Sequence, residues 1–273
     1  MLTLLQRLRH SLGVLSCVAL FLFGNSSWAG TACEEVATNA GTVQKALGLA
    51  KKVVDKLEER GAQIALVARV GQDLTKYKLR FSHLGFAVRN HPEGQWSVVH
   101  DLNLCGTDLS QLYVQGVGNF FSDDLFAYEA GILLLPAELQ QRLEKILVSA
   151  KQSKRLHEPK YSVVAYPFNT LYQNSNQWAL EVLASAMAPE GDVATRAEAQ
   201  KWLQEAGFTP TLLNISAMTR LGGRMFKANI AFNDHPDELR WSDRIYVVSV
   251  DSVFDFLRKR YPQDTQRILL DLD

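Results

Sequence analysis

Cysteine is scarce in this chain, net charge is absent, and no long apolar run lies outside the N-terminal region. Only 3 cysteines occur in 273 residues, and no Cys/His spacing resembles a zinc set, so no metal site is expected. The 29 Lys and Arg residues balance 29 Asp and Glu residues. That balance excludes a basic footprint for nucleic acid or for an anionic surface. Gly222-Gly223 lacks the phosphate-loop pattern of a nucleotide site, and nothing else calls for a cofactor. No repeat, low-complexity tract or Pro/Gly/Ser linker divides the chain.

What is present begins with an export signal. Arg7, Arg9 and His10 precede an apolar run from Val14 to Phe23, about ten residues and too short to span a bilayer comfortably. Ser27-Trp28-Ala29 supplies small residues where a signal peptidase would cut. Residues 1–29 are therefore expected to leave as a signal peptide, and an uncleaved anchor is the alternative. Residues 30–273 should form a single domain with insertions and no membrane span. Cys17 leaves with the signal, so Cys33 and Cys105 remain as an even pair in an oxidising compartment. A disulfide between them would tie the new N-terminus to the turn after a central strand. Two buried thiols are the alternative.

Hydrophobic spacing then outlines an α+β fold. Val43, Leu47, Ala50, Val54 and Leu57 recur at helical spacing, with Thr42 as an N-cap and Gly61 as a stop. Runs at 63–70, 78–89 and 96–104 read as strands, with a turn at 90–94 between the last two. This helix-then-meander order predicts a central antiparallel sheet packed on helices. Further helices are predicted over 137–149, 178–187, 194–206 and 252–261, and further strands at 132–135 and 245–250.

Three residues could carry chemistry. On the 78–89 strand, His83 shares a face with the small residues Gly85 and Ala87. That opening suits a general base, and a hydrogen-bonded structural histidine is the alternative. His100 alternates onto one face of the next strand with Trp96 and Val98, where it could orient the imidazole of His83. Asp101 and Asn103 are alternatives for that role, on the opposite face. Ser175 lies at a helix start, where the backbone dipole favours anionic character. A thiol there ionises readily. A hydroxyl does not, and would need His83 to take its proton. Gln173, Asn174, Asn176 and Gln177 surround Ser175 with amides that could line a binding pocket, supply oxyanion donors, or merely cap the helix.

These residues carry a resemblance. Phe81-Ser82-His83-Leu84-Gly85-Phe86, Phe120-Phe121-Ser122-Asp123-Asp124, Tyr172-Gln173-Asn174-Ser175-Asn176-Gln177-Trp178 and Asn233-Asp234-His235-Pro236 resemble a bacterial exported family catalogued as domain of unknown function 2145. The tail around Val250-Asp251-Ser252-Val253 resembles it too. More distantly, the order of residues is similar to permuted NlpC/P60 papain-like proteins, in which a histidine, a polar third residue and a cysteine follow one another. That likeness implies a permuted papain-like fold, with His83 as base, His100 as third residue and Ser175 in the nucleophile position. Serine for cysteine excludes thiol hydrolysis. It leaves either a serine variant that hydrolyses amides or esters, or an inactive relative that binds an envelope peptide or glycan. The implied partners are a cell-wall peptide, a lipid or an envelope protein, and the implied location is periplasmic or secreted.

Overall fold

The computed structural model describes residues 39–272 apart from 124, 217, 221, 223–227 and 241. The expected signal peptide and Cys33 lie outside the described residues. The chain opens with helix α1 (Ala40–Glu59), capped by Asn39, whose side chain accepts the amide of Thr42. Strands β1 (Ile64–Val70), β2 (His83–His91), β3 (Gly94–Asn103) and β4 (Ser110–Gly116) follow as a meander. A short helix α2 (Val117–Phe120) leads to β5 (Ala127–Leu134), then helices α3 (Ala137–Leu147), α4 (Ala150–Lys154), α5 (Ser175–Met187) and α6 (Arg196–Glu205). β6 (Thr211–Asn214), helix α7 (Asp237–Arg240), β7 (Arg244–Val247), helix α8 (Val250–Arg260) and β8 (Gln266–Asp271) complete the order.

The fold is α+β. The main sheet runs β4-β3-β2-β1-β5-β8, with every described pairing antiparallel, and β6 pairs β7 separately. Among the described residues no helix is long and apolar enough to cross a membrane.

Helices cover both faces of the sheet, and the residue pattern shows why. Ala65, Val67, Ala87, Val98 and Ile132 meet Leu49, Val53 and Leu57 of α1. Ile64, Leu66, Leu84, Phe86, Val88 and Leu133 meet α3, α5 and α8 on the other side. β1 is buried at every position, so it reads as a continuous apolar run rather than an alternating one. The second face is anchored by Trp178 of α5, which meets Phe86 edge-on at 5.8 Å.

Glycine governs the closest strand contact. A Cβ on Gly85 would lie 2.6 Å from Val98 Cγ1 and 3.0 Å from His100 Cβ. The space expected beside His83 is therefore filled by the neighbouring strand. Gly85→Ala should destabilise the protein by about 1–3 kcal/mol through overpacking, read as a lower urea midpoint with an unchanged slope.

Candidate functional site

β2 and β3 bring the two expected histidines together. His83 Nε2 and His100 Nδ1 are 2.9 Å apart, and His100 Nε2 lies 3.1 Å from Gln115 Oε1 on β4. With Gln115 Oε1 facing His100, the tautomers follow. Gln115 presents a carbonyl oxygen, so His100 Nε2 carries the hydrogen and its Nδ1 is the acceptor. His83 Nε2–H therefore donates, and His83 Nδ1 keeps a lone pair.

The surroundings hold both rings neutral. Phe120 of α2 packs on each, at 5.8 Å from His83 and 5.2 Å from His100. Arg69 is the cross-strand partner of His83. Its guanidinium lies 4.8 Å from the Phe120 ring centre. Burial first, and then the Arg69 charge, push His83 well below the ordinary histidine range. The same causes bring His100 down to about 3.

The start of α5 reaches the sheet beside His83. Asn176 Oδ1 accepts the amide of Leu84 at 3.2 Å, and its Nδ2 donates to Ser82 O at 3.4 Å. The side chain of Asn176 thus spans the backbone on either side of His83, beyond the point where β2 and β3 stop pairing at Phe86 and Val99. Ser175 itself turns elsewhere. Its hydroxyl neighbours the Tyr161 phenol, which burial pushes up to about 12 despite that contact. Among the described residues no hydrogen bond joins Ser175 to His83 or His100. The expected nucleophile–base contact is not made, because the body of α5 packs against Leu84 and Phe86 while His83 stands on the Phe120 side of its strand.

The amides expected to line a pocket bond mostly to the chain itself, and Gln177 Oε1 alone among them is buried without a partner. Asn174 is the N-cap of α5, accepting the amide of Gln177 at 2.8 Å, and donates to Val248 O at 3.3 Å. Gln177 donates to Pro167 O at 3.2 Å and Gln173 to Leu156 O at 2.9 Å. Gln173 also reaches Glu181 Oε2 at 2.6 Å. Glu181 is fully buried and ion-pairs with Arg196 at 2.8 Å, and Gln173 and Gln177 join it in one structural network.

Asp101, an alternative for the group that orients His83, serves a different histidine. Asp101 accepts from His157 Nε2 at 3.2 Å, and its Oδ2 is buried without a partner. Burial pushes this carboxyl up, against the pull of His157 and Ser110. Two further buried charges, Arg69 and Glu181, have no place in the sequence expectations. Each is a lone charge in an apolar run, Ile64-Ala65-Leu66-Val67-Ala68-Arg69-Val70 and Trp178-Ala179-Leu180-Glu181-Val182-Leu183, and that contrast is the available signal. Cys105 lies in the turn after β3, and its expected partner Cys33 falls outside the described residues. Among the described residues no group of three or more His, Cys, Asp or Glu side chains could hold a metal.

Fold and site together define an α+β protein built on a six-stranded antiparallel sheet, with a buried histidine pair against a helix start. The chain belongs to the bacterial family described as an uncharacterized protein conserved in bacteria, domain of unknown function 2145, whose model matches residues 56–257. No curated protein and no solved structure matches the chain.

Proposed function

We propose that this chain is an exported, papain-related envelope protein that binds a peptide or glycan and does not cleave it. The observation that carries this reading is that, among the described residues, no hydrogen bond joins Ser175 to the histidine pair. The hydroxyl of Ser175 sits with Tyr161, while His83 and His100 bond to each other. The chemistry points the same way. A serine nucleophile needs its base to become an imidazolium in the transition state. Arg69 beside His83 and the burial of both rings oppose that charge.

Serine hydrolysis of amides or esters is the second reading, favoured by the lone pair left on His83 Nδ1. A fluorophosphonate probe separates the two. The expected result is no labelling of the native protein, with Ser175→Ala as the blank. Labelling at Ser175 would establish the hydrolase instead. In the same preparation, intact mass before and after reduction tests the proposed Cys33–Cys105 disulfide, and its N-terminal residue tests cleavage after Ala29.

A further inference from the structure

We propose that Arg69 is a carboxylate receptor whose charge Asp123 offsets in the unliganded protein, and that the ligand bound beside the histidine pair carries a peptide or amino-acid carboxylate. Arg69 is buried in the centre of the sheet, and its Nη1 donates to Phe120 O and pairs with Asp123 at 2.7 Å. The rest of the guanidinium is unspent. Nε is buried without a partner, and Nη2 donates to nothing among the described residues. That edge is the planar fork that takes a carboxylate through two parallel hydrogen bonds.

The counter-ion is unequal to its partner. The Arg69 side chain is 8% exposed and that of Asp123 is 49%. Asp123 is thus a half-exposed surface carboxylate held on Nη1, and it opposes an incoming carboxylate on the Nε–Nη2 edge through its charge. Charge also selects the ligand class. Apart from Asp123, the ionisable groups beside Arg69 are His83 and His100, so once Asp123 is displaced a single cation faces the ligand, which suits a monoanion better than a phosphate dianion.

This inference rests on the reading of the site as one that binds rather than cleaves. The test titrates the full chain with N-acetylalanine and with its uncharged amide, following the Nε–H resonance of Arg69. Asp123→Asn should bind N-acetylalanine at least about tenfold more tightly than the native protein, and the amide should bind neither. Arg69→Lys keeps the charge but loses the fork, and should abolish binding. If that variant fails to fold, the Asp123→Asn arm decides alone. Equal affinity with and without Asp123, or equal binding of the amide, overturns the proposal. A protein that resists fluorophosphonate yet ignores N-acetylalanine keeps the non-hydrolytic reading and loses this one.

Discussion

Glu181→Ala is expected to lower the unfolding free energy by about 3–5 kcal/mol, since it strands a buried cation. Glu181 accepts from Arg196 Nε at 2.8 Å, Gln200 Nε2 at 2.8 Å and Gln173 Nε2 at 2.6 Å. Arg196 continues to Thr170 O at 2.8 Å and Tyr172 O at 3.0 Å. The network therefore fixes the approach to α5 as well as the packing of α6 on α5. Burial pushes the Glu181 carboxyl up, by more than Arg196, Gln200 and Gln173 pull it down. Removing one partner costs more than removing both. The double variant Glu181→Leu/Arg196→Met should accordingly recover much of the loss. Urea titration of the single and double variants measures both effects. An equal loss in the two would mean that the ion pair contributes little beyond its packing.

Acid sensitivity is the second large expectation. The folded-state values of His83 and His100 lie below the ordinary histidine value of 6.5. The unfolded chain then binds more protons, so stability is complete above about pH 6.5 and falls as pH drops below it. With His100 near 3, its share of the loss is about 2 kcal/mol at pH 5. His83 adds a loss of the same sign. Asp101 and Glu181 have raised values. They take up protons more readily when folded, so they carry the opposite sign and blunt the decline at lower pH. His100→Gln should therefore shrink the stability difference between pH 7 and pH 5 by about 2 kcal/mol. An unchanged difference would show that His100 titrates normally in the folded protein.

The elements with plain periodicity were legible in the sequence. The helix expected around Val43 to Leu57 is α1, and the strand expected at 63–70 is β1. The cap is displaced, because Asn39 rather than Thr42 supplies the acceptor. β4 and β8 were not legible. Both lie at edges of the sheet and expose several residues, which weakens the apolar signal. Ala228, Ile230 and Phe232 alternate in the sequence, yet residues 228–232 form no strand.

At the site, the meeting of His83 with His100 followed from pleat and pairing alone. The direction of Ser175 did not, because it depends on how α5 is held. Gln173, Asn174, Asn176 and Gln177 do that holding, and a sequence cannot tell an amide bonded to backbone from one offered to a ligand. Arg69 lies beside the histidines only because β1 pairs with β2 in the register Arg69 to His83.

Nitrogen NMR of the full chain labelled at histidine tests the central claim most directly. At neutral pH, His83 is expected as a neutral ring protonated on Nε2, and His100 likewise, with neither resonance moving when Ser175 is replaced by Ala. An imidazolium signal from either ring, or a shift of His83 Nδ1 on that replacement, would mean that serine and histidine are coupled and that the site is built to cleave.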